Sequence, residues 1–246
     1  MKYLKQLWFV LLITPLAYAE ALTIYANEEY RPIIYRNAQG QASGVAYELL
    51  LRHEQQTGTK VTWEMGSWRR AYELALKGRG GIIGLSKTKE RSAIFDYSDP
   101  FFEVAISIVV KKGREFPLHS INDLKGKLVG VTNGASYGPD FNSALAQKIF
   151  TADFNYSSSA RFKKLLHDRV DCLVLATGRQ GLLLALSADP ELQAHREQFV
   201  LLEPPLAYDP LYLGFHKSMK MKGFLLEFNK TIKAAKNSGL LLKAKD

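Results

Sequence analysis

The sequence predicts an α/β protein of two lobes. Each lobe is a mostly parallel sheet flanked by helices, and the chain crosses between the lobes twice. Three observations lead there. Short apolar runs alternate with segments of helical spacing, the pattern of parallel strands joined by crossover helices. A polar connector from Lys111 to Lys127, broken by Gly113, Pro117 and Gly126, interrupts the alternation, which then restarts. A last strand and helix follow a proline-rich crossing (Pro204, Pro205, Pro210) and are too short to form a domain, so they pack back on the first unit. With 246 residues, 47% of them hydrophobic, the chain suffices for one large domain or two small ones.

The elements follow in order. Leu22–Ala26 reads as a strand. Val45, Ala46, Leu49, Leu50 and His53 recur at helical spacing after Gly44, and Thr57-Gly58 ends that helix. Val61–Trp63 is a second strand. Trp68, Ala71, Tyr72 and Ala75 mark a helix that stops near Gly78. Ile82–Leu85 is a third strand and Ala105–Val110 a fourth. In the second unit Leu128–Val131 is a strand, and Phe141, Leu145 and Ile149 mark a helix. Phe162, Leu165 and Leu166 mark another, Cys172–Leu175 is a strand, and Gly181–Leu186 a further helix. Leu211–Phe215 is the returning strand. The closing helix carries Phe224, Phe228 and Ile232 on one face and stops at Asn237-Ser238-Gly239. The expected division is 20–102 plus 211–246 for the first lobe and 103–210 for the second.

Residues 1–19 read differently. Lys2 and Lys5 precede the apolar run Leu7-Trp8-Phe9-Val10-Leu11-Leu12-Ile13, Pro15 breaks it, and Ala17-Tyr18-Ala19 supplies small residues at both positions a signal peptidase reads. This is a secretory leader, with cleavage expected after Ala19 and export to the periplasm. The run is too short to span a bilayer comfortably, and no later segment is long and apolar enough to do so. No cysteine follows the run, which excludes lipid anchoring there. The single cysteine, Cys172, excludes an internal disulfide. It sits in an apolar strand and reads as a small buried residue rather than a nucleophile. Net charge is +9, but the basic residues are scattered, with pairs such as Lys111-Lys112 and Lys163-Lys164 as the longest clusters. Without basic and aromatic interleaving, nucleic acid is not an expected partner. The five histidines (His53, His119, His167, His195, His216) show no spacing for a metal or a catalytic triad, and no cofactor is expected.

Open parallel sheets bind ligands past the carboxyl ends of their strands. Four segments stand there: NEEYRP after Leu22–Ala26, SKTKER after Ile82–Leu85, TNGASYG after Leu128–Val131 and ATGRQG after Cys172–Leu175. Two belong to each lobe, so a cleft between lobes collects all four. Arg91 is suited to a bidentate pair with a carboxylate, and Ser86 offers a hydroxyl at the strand end. Gly134-Ala135-Ser136 opens onto the next helix, whose start favours an anion. The same spacings also fit a surface arginine paired with Glu90 or Asp96, and a plain strand-to-helix turn.

At this point the residues resemble a known family. "KTKER…FDYSDPFF" looks like the signature of the bacterial family 3 extracellular solute-binding proteins, the periplasmic amino-acid-type receptors of ABC importers. Four further pieces agree in order: "YRPIIYRNAQGQASGVAYELL", "SWRRAYELALKGRGGIIGLS", "INDLKGKLVGVTNGASYG" and "LYLGFHKSMKMKGFLLEFNKTIKAAKNSGLL". The resemblance covers nearly the whole chain after the leader. It implies the type II periplasmic-binding-protein fold, with two hinge crossings that close on a ligand. It implies that Arg91 holds the ligand carboxylate, helped by Ser86 and Ser136, that Tyr30 covers the ligand, and that Gly84 lends backbone to its polar end. "FDYSDPFF" runs into the first hinge near Phe101 to Glu103. Trp68 and Thr177 are further pocket candidates, Trp68 serving equally as helix packing. The implied partner is an inner-membrane ABC permease or a sensor protein, with the receptor a monomer.

Two departures stand out. Relatives that bind ordinary amino acids carry an acidic residue in the second lobe, past the strand that includes Asp171, to accept the ligand ammonium. The matching position here is Ala176, beside Thr177, and neither is charged. Glu28, Glu29 or Glu64 are the first-lobe residues able to supply a charge instead. The usual GxxD before the third strand is also replaced, by Gly80 and Gly81. The leading expectation is capture of a small carboxylate-bearing solute for import, not catalysis. The alternatives are a periplasmic enzyme on the same fold, like the cyclohexadienyl dehydratases, and a stand-alone ligand sensor.

Overall fold

The computed structural model describes residues 21–239 and 241; the leader and its cut after Ala19 lie outside them. The first lobe starts with β1 (Leu22–Asn27), then three short strands, β2 (Glu29–Tyr30), β3 (Ile34–Arg36) and β4 (Ala42–Ser43), which form their own small sheet. Next come α1 (Val45–Thr57), β5 (Val61–Gly66), α2 (Trp68–Leu76), β6 (Gly81–Ser86), α3 (Lys89–Ile94) and β7 (Phe95–Tyr97). The long β8 (Phe102–Lys111) leads into β9 (Leu128–Thr132), α4 (Pro139–Ala146), β10 (Thr151–Asn155), α5 (Ser158–Leu166), β11 (Cys172–Leu175), α6 (Gly178–Ser187), α7 (Pro190–Ala194) and β12 (Phe199–Leu201). The long β13 (Ala207–His216) and α8 (Lys222–Asn237) close the chain.

The main sheet runs β10-β9-β11-β8-β13-β6-β1-β5. Its two ends are the two lobes. In the first, β1 pairs in parallel with β5 and β6, and β13 joins β6 antiparallel. In the second, β9 pairs in parallel with β10 and β11, and β8 joins β11 antiparallel. Between them β8 and β13 form an antiparallel ribbon, from Ala207 opposite Ile106 to Leu211 opposite Phe102. These two strands carry both chain crossings. With β6 buried at all six residues, from Gly81 to Ser86, an unbroken apolar run is what a strand covered on both faces requires.

Local chemistry sets the element ends. Gly58 takes the left-handed conformation, φ 74°, and its N–H closes α1 on Glu54 O. The hydroxyls of Ser67 and Ser157 cap α2 and α5. On α8, Leu225, Phe228 and Ile232 are buried, and Phe228 meets His53 of α1 edge-on. His53 is buried too. Thr231 Oγ1 donates to Gln56 Oε1, so it accepts from His53 Nδ1–H.

Three expectations are corrected. Pro210 does not break the chain: β13 runs through it, opposite Glu103. Pairing with β6 begins only at Leu211, so at Pro210 just one neighbouring strand flanks β13 and a missing N–H is tolerated. The helix expected to include Ile149 ends at Ala146, because Lys148 turns to φ 57°. Lys89 and Glu90, in the SKTKER segment expected simply to trail the third strand, are the first residues of α3. Elements absent from the expected order are the small sheet, β7, α3, β10, α7 and β12.

Candidate functional site

The structure gathers all four strand-end segments around one cavity of about 80 Å³ between the lobes. Asn27, Glu29, Tyr30 and Arg31 follow β1, and Ser86 ends β6. Thr132, Ala135, Ser136 and Tyr137 come from the end of β9 and beyond, and Ala176, Thr177 and Gly181 follow β11. Trp68 and Gly84 complete the first-lobe wall. A fifth segment, after β10, adds Tyr156, Ser158 and Arg161. Of the expected site residues, Tyr30, Trp68, Gly84, Ser86, Ser136 and Thr177 therefore meet at the cavity. Arg91 is not part of its lining.

Arg91 lies behind Ser86. Thr88 caps α3 by accepting from Arg91 N (3.2 Å), which turns the arginine into the protein. The side chain is buried, with Nη1 donating to Ser86 O (3.2 Å) and Nη2 to Gly134 O in the other lobe (3.1 Å). Its guanidinium lies 4.9 Å from the Tyr72 ring centroid and 5.9 Å from that of Trp68. Asp209, also buried, on the crossing strand β13, feels the Arg91 charge without forming an ion pair with it. Burial raises the Asp209 pKa, against the opposing pull of a hydrogen bond from the Ser86 hydroxyl and of the Arg91 charge. Asp209 was not among the expected site residues.

Four contacts draw the lobes together here. Trp68 Nε1 donates to Gly134 O (2.9 Å), beside the Arg91 bond to the same carbonyl. Tyr30 Oη donates to Ala176 O (3.1 Å). Glu29 accepts from Ser158 N (2.5 Å) and Ser157 Oγ (3.3 Å), at the start of α5. Burial pushes the Tyr30 phenol well above its ordinary pKa, and Asp209 and Tyr137 push it further, so it is a donor throughout the physiological range. Gly84, at φ +79°, lets the Tyr30 ring lie over the backbone; a Cβ there would stand 3.4 Å from that ring.

The second-lobe residues sit differently from expectation. α4 starts at Pro139, with Gly138 at its N-cap, so Gly134 to Ser136 form a loop ahead of the helix rather than its first turn. Ser136 Oγ accepts from Asn142 Nδ2 of that helix (2.8 Å). Thr177 precedes α6 and is buried; Gly181, one turn on, makes room for its side chain. Ala176 turns its carbonyl to Tyr30 and brings no charge. Of the three first-lobe acids, Glu28 pairs with exposed Arg36 (3.1 Å), Glu64 lies outside the cavity, and Glu29 enters its wall. The cavity thus presents hydroxyls, backbone groups and four aromatic rings (Tyr30, Trp68, Tyr137 and Tyr156), with buried charge behind and beside them. Among the described residues no group of three or more His, Cys, Asp or Glu side chains is placed to hold a metal ion. No described helix is long and apolar enough to cross a membrane.

This fold and this interlobe cavity define a two-lobed solute-binding protein. The chain belongs to the bacterial extracellular solute-binding proteins, family 3, whose model matches residues 22–246. It is 23% identical over 178 residues to the probable amino-acid-binding protein YxeM of Bacillus subtilis, covering 69% of this chain and 67% of that protein. It is 26% identical over 110 residues to the L-cystine-binding protein TcyJ of Escherichia coli, covering 44% of this chain and 41% of TcyJ, so the match spans less than half of that relative. Among solved structures, an ancestral arginine-binding protein bound to arginine superposes with a TM-score of 0.74 at 23% identity, covering 89% of this chain and 94% of that one. A histidine kinase sensor domain with similarity to periplasmic binding proteins superposes with a TM-score of 0.75 at 16% identity, covering 89% and 92%. At these identities the structural likeness concerns the fold.

Proposed function

We propose that the protein captures a small carboxylate-bearing solute, an amino acid or a related compound, between its lobes in the periplasm. It then hands the solute to an inner-membrane ABC permease. The observation that carries this reading is the buried Arg91 guanidinium behind Ser86, stacked on Tyr72 and bonded across the lobes to Gly134 O. A ligand carboxylate entering beside Ser86 and Ser136 takes the place of the Gly134 carbonyl on Nη2, in a stronger charge-assisted bond. Trp68 and Tyr30 flank it, and Gly84 and Thr177 supply polar edges. Residues 20–102 with 211–246 close against 103–210 by bending the β8–β13 ribbon, and the ligand drives closure by binding the closed state better than the open one. The names of the relatives, which refer to amino acids, support the solute class. Glu29, the acid in the wall, is engaged by Ser157 and Ser158, which favours a binding role over general acid–base catalysis. The receptor acts as a monomer.

A thermal-shift screen of amino acids, organic acids and small peptides tests this. A carboxylate-bearing compound is expected to raise the melting temperature, and Arg91→Ala to abolish that rise. An undiminished rise in Arg91→Ala contradicts the site assignment. Chemical conversion of the bound compound replaces the receptor with an enzyme.

A further inference from the structure

Arg161 also lines the cavity and is only 5% exposed. It stands on the inner face of α5, one turn from Leu165, with Gly130 of β9 beneath its stem. A Cβ on Gly130 would lie 3.2 Å from Arg161 Cγ, so the glycine lets the arginine lie flat on the strand. Nη1 donates to Val174 O (2.8 Å) at the end of β11. Nε is buried and has no hydrogen-bond partner among the described residues. No ion pair engages the guanidinium among them either. Asp153 pairs with Lys164 and Asp189 with Lys163, while Glu29, in the same cavity wall, turns its carboxylate to Ser158 N and Ser157 Oγ rather than to Arg161.

A buried cation without a direct ionic partner is costly. Satisfying Val174 O needs one neutral donor, not a guanidinium. That partner is supplied if an anion arrives with the ligand and reaches the unpaired Nε. Thr132 lies two residues beyond Gly130, on the same face of β9, and Ser158 stands one turn before Arg161 on α5, and both line the cavity. We propose that the ligand carries two anionic groups, and that Arg161, with the hydroxyls of Thr132 and Ser158, binds the second. The neutral Ala176 and Thr177 fit such a ligand, because a dicarboxylate needs no acid to receive an ammonium. This rests on the assignment of the cavity as a carboxylate site and adds a specificity-determining residue to it.

The test is titration calorimetry with matched probes: succinate against butyrate, glutarate against valerate, and L-glutamate against L-glutamine. In the wild type the dianion of at least one pair is expected to bind about 10-fold or more tightly than its single-carboxylate partner, the range of a charge-assisted hydrogen bond. Arg161→Gln is expected to bring that ratio to near one while leaving single-carboxylate binding in place, and Arg161→Lys to restore part of it. A wild type that prefers the single carboxylates, or a ratio unchanged in Arg161→Gln, overturns the inference and leaves the carboxylate receptor standing. Failure of every probe in the folded wild type overturns the carboxylate reading and this inference with it. If Arg91→Ala leaves dianion binding intact while Arg161→Gln removes it, the Arg161 site holds and the Arg91 assignment fails.

Discussion

Replacing Glu29 with glutamine perturbs a charged contact between the lobes. Glu29 reaches from β2 to the start of α5, where it accepts from Ser158 N at 2.5 Å and Ser157 Oγ at 3.3 Å. The glutamine keeps an acceptor and the side-chain length but loses the charge. A hydrogen bond to a charged group contributes about 1.5–3 kcal/mol, against about 0.5–1.5 for a neutral one. A negative charge at a helix N-terminus adds about 0.3–1 kcal/mol. Glu29 is partly exposed, so solvent screening takes the lower ends, about 1–1.5 kcal/mol in all. That lowers the closed-to-open ratio roughly 5- to 12-fold. Where the free protein is mainly open and ligand is held only when closed, the apparent Kd rises by the same factor. Titration calorimetry of Glu29→Gln with a carboxylate from the screen measures it, and the deficit should shrink as salt is added. A Kd within twofold of wild type at low salt would refute the latch.

Two further outcomes follow from buried or capping groups. Burial lowers the His53 pKa below 6.5, so its contribution to stability is complete above 6.5 and is lost as pH falls toward the lowered value. Proton NMR should show the His53 ring titrating below pH 6.5, and a midpoint at or above 6.5 contradicts its buried, neutral state. Asp189 caps α7 on Glu191 N and Leu192 N, and hydrogen bonds from Ser159 and Lys163 help bring its pKa down to about 2. Its contribution is present above pH 3.8 and lost as pH falls through about 2. Asp189→Ala should cost about 1 kcal/mol, or about 2–4 °C in Tm at neutral pH. A mutant as stable as wild type at pH 7 rules that out.

Much of this fold was legible because strong periodicity coincides with burial. β6 reads as a strand because both its faces are covered, and α8 as a helix because Phe224, Phe228 and Ile232 recur on one face, of which Phe228 and Ile232 are buried. β10 was not legible: its Phe154 is exposed at 54%, and backbone pairing with β9 makes it a strand without an apolar pattern. α3 was hidden by its charges, although Thr88 ahead of Lys89-Glu90-Arg91 carried a capping signal. Pro210 reads as a breaker until the strand on its other side is known to start one residue later. At the site, the segments past strand ends were legible from topology alone. Asp209 and Arg161 were not, because each is made significant by a neighbour distant in sequence: Arg91 for one, Gly130 and Val174 for the other. A spacing cue did exist for Arg161, which stands four residues before buried Leu165 on the apolar side of α5.

The most direct measurement is a crystal structure with the tightest-binding compound from the carboxylate screen. The account requires density in the interlobe cavity, flanked by Trp68 and Tyr30, with one carboxylate hydrogen-bonded to Arg91 beside Ser86 and Ser136. A ligand seated elsewhere, or seated there with Arg91 still bonded to Gly134 O and no carboxylate near it, would contradict the account.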